Sequence, residues 1–500
     1  MVERLPDFVP LLGELRARLA RGRHKALAES LLPRRQLDDR NDNVQRLLRV
    51  LDRDGSAGLL SSAMDGGVTV ELFDDRRTPY WAVFKVNRTG DGTYASDAND
   101  GRDMEYITSA LVQESASHDK SSRTGVEGVL GLSGRPDSGK GTWKSVGGAG
   151  GLAHASGGAR RRGDVRRGQF GMKAVADSSA RSAKTDVPIS ATLELYKGGG
   201  RLETARLDRL TLVQRILRKD LEALSRVQLP AADHHLAARG PGDRGTALGA
   251  WRAGGVRLPM EAQVNGFRGA PQVRELVGTA VRAAGGGARF RDRGQAAAYT
   301  LGEAVSTEWM IAALPLLTSA GVELPPVHAT GAEGQDLRAS VHARLRHGRV
   351  LGLGDKMTFE TVGQSHLEAP RPTQADGQSS ADHGRAARGA FGLGVLNADQ
   401  FRLNQLIGTA GGSGGTTDAT ANSAGSMPVH KPKTKAVLVQ FTLDVRVEAA
   451  VTERIRGRTT RAVRETTLPQ PVVIRMPEPV VRRMLAAQPD RLTDDGNHLT

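Results

Sequence analysis

A chain of 500 residues with 61 glycines, 22 prolines and only 4% aromatic residues is long enough for two or three sizeable cores, built mainly from aliphatic side chains. The lack of cysteine excludes a disulfide framework, thiol catalysis and cysteine-ligated zinc. Lys+Arg 70 against Asp+Glu 55 gives a formal charge of +15, which favours acidic partners, although arginine that merely decorates solvated surfaces gives the same excess.

Residues 11–32 read as a basic amphipathic helix, with Leu12, Leu15, Leu19 and Leu27 at helical spacing and Arg16, Arg18, Arg21 and Arg23 between them. A second helix is expected over 43–51, after Asp38 and Asp39, with Val44, Leu47, Leu48 and Leu51 on one face. From Val68 the apolar period changes to two, and the turn at 74–78 predicts a hairpin with 80–86. Residues 105–112 and 308–317 both read as helices. So does 207–224, where Leu207, Leu210, Val213, Leu217, Leu221 and Leu224 recur every three or four residues ahead of Pro230. Alternation returns at 187–195 and again at 437–447. There Val437, Val439, Phe441, Leu443, Val445 and Val447 share one face, and Asp444 and Arg446 lie on the other, which suits water. No apolar run is long enough to cross a bilayer as a helix, and the N-terminus lacks the layout of a signal peptide.

Two short motifs recur in one register. Arg167-Gly168-Gln169-Phe170-Gly171 is echoed by Arg388-Gly389-Ala390-Phe391-Gly392, and Val129-Leu130-Gly131-Leu132 by Val350-Leu351-Gly352-Leu353, both at an offset of 221 residues. With indels the pairing extends from Glu105-Tyr106-Ile107 to Glu308-Trp309-Met310, and from Lys184-Thr185 and 192–195 to Lys433-Thr434 and 442–445. The expected fold is therefore α+β, a tandem repeat of two related units, each with long antiparallel β pairs and amphipathic helices. Its divisions are an N-terminal helical segment at 1–65, unit 1 at 66–232, a linker at 233–255, and unit 2 at 256–500 with a mobile Gly/Ser-rich loop at 409–426. Each motif strand, 167–175 and 388–396, is expected to pair with the alternating strand that follows it.

Three segments carry candidate chemistry. Gly134-Arg135-Pro136-Asp137-Ser138-Gly139-Lys140-Gly141-Thr142 looks like the phosphate-binding loop of the adenylate-kinase type, with Lys140 as the phosphate ligand. Asp137 places a carboxylate beside phosphate, however, and no helix start follows to supply a dipole, so a hairpin turn is the stronger reading. Asp233-His234-His235 offers a metal-ligand pattern without acidic partners at telling intervals. Arg160-Arg161-Arg162 with Arg166-Arg167 is the densest basic cluster, but no aromatic residues interleave it to stack bases. No catalytic, cofactor-binding or metal-binding residue is assigned on this basis.

In Leu31-Leu32-Pro33, Leu37-Asp38-Asp39, Asn43–Leu51, the 67–72 strand, the paired strands and the Gly/Ser-rich loop, the chain resembles segments of very large actinobacterial multi-repeat proteins grouped with polymorphic toxins. That resemblance implies a non-enzymatic structural, delivery or translocation module of a secreted toxin-like protein. It would need no cofactor and would be secreted or held at the cell surface by a route without a classical signal peptide. Its expected partners are proteins or further copies of itself, with an anionic membrane surface as the next choice and nucleic acid disfavoured. The rival readings are a nucleotide-dependent enzyme using Lys140 and a basic nucleic-acid-binding protein using the Arg160 cluster.

Overall fold

The computed structural model describes residues 2–98 (except 22–23, 35–37, 40 and 77), 182–229, 247–359 (except 260, 291–295, 325–326 and 330–333) and 433–499 (except 454–456). It also describes the backbone of 104–116, 126–131, 143–151, 165–177, 360–368, 387–397, 400–410, 423–424 and 429–430. The fold is α+β. Contacts divide it into two compact units that interleave along the chain: 1–100 with 180–221 and 287–307, and 101–179 with 222–286 and 308–500.

In the first unit, an antiparallel sheet runs in the order Val2–Arg4, Gly200–Leu217, Ser182–Lys197, Pro79–Arg88, Val68–Phe73, with Thr93–Ala98 also on Ser182–Lys197. The expected hairpin is present, with Val68 opposite Phe84 and Leu72 opposite Tyr80. The segment read as one helix over 11–32 forms two, Pro10–Arg21 and Lys25–Leu31. Asn43–Leu51 is a helix as expected, and Asp39 caps it by accepting from the backbone N–H of Asn43 at 2.9 Å and of Val44 at 2.7 Å. Asn43 is itself buried and bonds both backbone groups of Phe73, donating to its carbonyl at 2.7 Å and accepting from its N–H at 3.0 Å. One core collects Phe8 from just ahead of the first helix, and Leu11, Leu15, Leu19, Leu31, Leu47 and Leu51 from the helices, against Phe84, Ile189 and Leu193 of the sheet. The Phe8 and Phe84 rings meet edge-on at 5.1 Å.

The segment at 207–224 corrects the helical expectation. Gly200–Leu217 is a strand, and only Arg218–Leu224 is helical. The cause is a bulge: pairing with Ser182–Lys197 skips from Leu207 to Leu210, and Arg209 takes a positive φ of 57°. The bulge moves the inward positions from one parity to the other, so a strand acquires the three-residue step that resembles a helix.

In the second unit, thirteen described strands form a sheet whose main path is Gln263–Gly266, Val472–Pro477, Lys433–Glu453, Gln335–Glu368, Val165–Asp177, Met104–Ala116, Val126–Gly131. Arg458–Thr467 pairs with the outer half of Lys433–Glu453. Gln335–Glu368 runs for 34 residues, against a usual strand length of about 5–6. Its inner part pairs with Lys433–Glu453 and its outer part with Val165–Asp177. A separate three-stranded sheet places Ala387–Asn397 between Gln400–Ala410 and Trp143–Gly151.

Several further expectations are corrected here. Residues 105–112 lie in the strand Met104–Ala116, held by strands on both sides, whereas 308–317 is helical within Thr307–Ser319. Neither motif strand pairs with the alternating strand that follows it: Val165–Asp177 lies between Met104–Ala116 and Gln335–Glu368, and Ala387–Asn397 pairs with Gln400–Ala410 and Trp143–Gly151. The C-terminal part of 233–255, expected as linker, contains the helix Leu248–Ala253 with Trp251 buried. The strand at 437–447 is buried on both faces, so Asp444 and Arg446 do not face water.

Candidate functional site: a buried carboxylate and its arginines

The register of Gln335–Glu368, Lys433–Glu453 and Arg458–Thr467 places polar residues in rows across one face of the sheet. From the interior outward these are Arg344, Asp444 and Thr467; His342, Arg446 and Glu465; Ser340, Glu448 and Val463; and Arg338, Ala450 and Arg461. The period of two that packs Val445 and Val447 into the core necessarily turns Asp444 and Arg446 to this second face.

Asp444 has no solvent exposure and accepts five hydrogen bonds. Arg344 donates from Nε at 3.0 Å and Nη2 at 2.6 Å, both to Oδ2. Arg346 spans both oxygens, from Nε to Oδ2 at 2.6 Å and from Nη2 to Oδ1 at 2.8 Å, and the Thr467 hydroxyl donates to Oδ1 at 2.8 Å. Burying a carboxylate is costly unless it is paired and saturated, and here it is both. Its oxygens are occupied by donors from two neighbouring strands, so it ties those strands together.

Arg344 also donates to the Trp251 carbonyl at 2.8 Å and lies over the indole at 4.7 Å, with Arg446 on the same ring at 6.0 Å. Arg446 in turn bonds Glu448 at 2.8 Å and Glu465 at 3.0 Å. Trp251 therefore seals the polar face with an aromatic plate.

His342 sits beside this cluster, with Nδ1 2.7 Å from Arg252 Nη2 and Nε2 3.1 Å from Ser340 Oγ. Arginine only donates, so Nδ1 accepts and Nε2 carries the proton that Ser340 receives. Burial first, then the Arg252 and Arg446 charges against the opposing Glu448, push its pKa down to about 4. Arg252 also donates to the Ala320 carbonyl. Next to it Gly321, at φ +82°, leaves no room for a Cβ, which would stand 1.9 Å from His342 Nδ1.

The first unit has a smaller polar cluster. Glu194 accepts from Lys85 Nζ and the Tyr196 hydroxyl, each at 2.7 Å. Burial alone would raise its pKa, but those two hydrogen bonds and the Lys85 and Arg201 charges hold it below the usual carboxylate value.

The residues singled out in the sequence are not assembled into either cluster. Residues 134–142 with Lys140, 233–235 and 160–162 lie outside the described residues, as does most of 409–426. Arg166 and Arg167 are placed only as backbone, opposite Glu368 and Leu367. Among the described residues no three His, Asp or Glu side chains converge as metal ligands. The Asp444 cluster escaped sequence reading because its members lie about 100 residues apart; the available signal was a charge pair, Asp444 and Arg446, inside a strongly apolar strand.

No protein-family model matches the chain, and no curated protein does. Among solved structures, one similarity is to the "CymD monoaromatic hydrocarbon channel", at 8% identity over 76% of this chain and 89% of that one. Its TM-score is 0.09, too slight a likeness to bear on fold or function.

Proposed function

We propose that the protein is a non-enzymatic delivery module of a secreted, toxin-like assembly, and that its three-stranded sheet is the part that meets a membrane. The observation that carries this reading is the composition of that sheet by register. Trp143, Leu396 and Phe401 form one row; Ser145, Gly394 and Leu403 the next; then Gly147, Gly392 and Gln405; then Ala149, Ala390 and Ile407. Twelve positions in these four rows of one face thus include no charged residue; the next row of that face, Gly151, Arg388 and Thr409, adds one arginine at its end, while Lys144 and Arg402, both opposite Val395, fall on the other face. Two of these strands have 11 residues, and a tilted strand crosses a bilayer in about 9–11. Strands in lipid must close on one another, so several copies would act together.

The tandem duplication belongs to the same proposal. In each unit a helix leads into a first strand, a long stretch of chain follows, and a return strand comes back antiparallel. Arg53–Met64 precedes Val68–Phe73, and Ser182–Lys197 returns against Pro79–Arg88; Thr307–Ser319 precedes Val322–Glu323, and Lys433–Glu453 returns against Gln335–Glu368. The two return strands are also those that share Lys184-Thr185 and Lys433-Thr434.

The test is dye release from liposomes containing anionic lipid. The full chain should release dye, and Phe401→Asp with Leu403→Asp should abolish release while leaving the circular dichroism unchanged. Absence of release at every pH from about 4 to 8, or release that survives the double change, would overturn the proposal.

A further inference from the structure

Beyond the Asp444 cluster, where the same polar rows reach the surface, the sheet opens into a groove of about 860 Å³. It is lined by Arg338 and Ser340, by Glu448 and Ala450, by Arg458 and Arg461, and by Glu323 at its flank. Arg338, Ala450 and Arg461 are direct cross-strand neighbours on three consecutive strands. Opposed residues have Cβ atoms about 4.5–5.5 Å apart, so two arginines flank a floor of one methyl group at a separation of about 10 Å.

These arginines differ from the ones deeper in the face. Arg344, Arg346 and Arg446 are committed to Asp444, Glu448 and Glu465. Arg338, Arg458 and Arg461 are exposed, and among the described residues none of the three forms an ion pair. Of the two glutamates that line the groove, Glu448 is already bound to Arg446 at 2.8 Å, and Glu453 stands opposite Arg458 in the register, outside the lining. Four arginines therefore face two glutamates across the groove, and the positive excess is concentrated around Ala450.

We propose that this groove binds a phosphate ester, with the phosphate over Ala450 between the guanidinium forks of Arg338 and Arg461 and with Arg458 at its edge. Guanidinium forks match phosphate oxygens two at a time, and a phosphate monoester carries enough charge to engage more than one of them. A monocarboxylate has too few oxygens to satisfy both sides. The volume exceeds that of phosphate alone, leaving space for the esterified group towards Ser340 and Glu323. Glu323 and Glu448 repel a second anion there, so the preferred ligand has one phosphate and a neutral or cationic remainder. Free phosphate esters and lipid headgroups share this chemistry.

The inference does not rest on the three-stranded sheet, and the experiment separates the two. In a Phe401→Asp, Leu403→Asp background, glycerol 3-phosphate and malonate are titrated calorimetrically, and co-sedimentation is measured with phosphatidylglycerol vesicles. Saturable binding of glycerol 3-phosphate would support a soluble ester as ligand, and binding of the vesicles alone would support a headgroup. In either case Arg338→Gln with Arg461→Gln should weaken binding at least tenfold, the corresponding pair of Lys substitutions should weaken it less, and Arg483→Gln, at an exposed position of the helix Glu478–Ala487, should leave it unchanged. The glutamine pair should melt with the parent, since neither arginine is buried. Binding of neither probe, malonate binding as tight as that of the ester, or equal loss in Arg483→Gln would overturn the proposal.

Discussion

Replacing Asp444 by Asn removes one charge and turns an acceptor oxygen into a donor at a point where five donors already converge. The Arg344 and Arg346 side chains, 15% and 22% exposed, would be left facing an amide with little water to replace the lost carboxylate. Removing one partner of a buried pair costs about 3–5 kcal/mol, and the partial exposure of the arginines places Asp444→Asn near the lower end, about 3 kcal/mol. For a unit of this size, about 2 °C per kcal/mol converts that to a fall in Tm of about 6 °C. Scanning calorimetry of the full chain reads it directly. A triple variant, Asp444→Leu with Arg344→Met and Arg346→Met, removes every unpaired charge and should recover at least half of the loss. A shift below about 2 °C in Asp444→Asn, or a triple variant less stable than the single, would refute the assignment of Asp444 as the centre of a saturated ionic cluster.

His342 is held near a pKa of about 4, below the ordinary histidine value of 6.5, so its contribution to stability is complete above about pH 6.5 and is lost as the pH falls towards 4. Unfolding free energies from urea titrations at pH 7 and pH 4.5 should differ by about 2 kcal/mol more in the native chain than in His342→Gln; equal differences would mean that His342 titrates normally. Gly321→Ala, which combines φ +82° with a Cβ 1.9 Å from His342 Nδ1, should cost about 2–3 kcal/mol, and His342→Ala should rescue part of it; additive losses would place the strain elsewhere. Phe8→Ala removes a fully buried ring packed edge-on against Phe84 and should cost about 3–5 kcal/mol, measured by denaturant unfolding; a loss under about 1 kcal/mol would contradict the packing described.

What was legible in the sequence followed from short-range pattern, and what was hidden depended on pairing. The hairpin from Val68 and the helix Asn43–Leu51 are each specified by a local period and a local turn or cap, and both were expected within a residue or so. The strand Gly200–Leu217 has a helical spacing in sequence because a bulge at Arg209 shifts its parity, and the bulge becomes apparent only beside the partner strand that skips it. Residues 105–112 differ from their local pattern for a related reason: Ile107 and Leu111 lie one helical turn apart, yet the segment has a strand on each side, and those ladders outweigh a weak local preference. The alternation of Lys433–Glu453 is plain in the sequence, but the covering of its polar face is not, because a period of two indicates which residues share a face and not what covers that face. Arg344 and Arg346, about a hundred residues earlier, supply the missing information, as does Trp251 from a segment expected to be linker. A charged pair such as Asp444 and Arg446 inside an otherwise apolar strand is thus better read as a call for buried partners: a solvated face does not require the flanking Val445 and Val447 to be fully buried, and a saturated ionic cluster beneath an indole is compatible with burial on both sides.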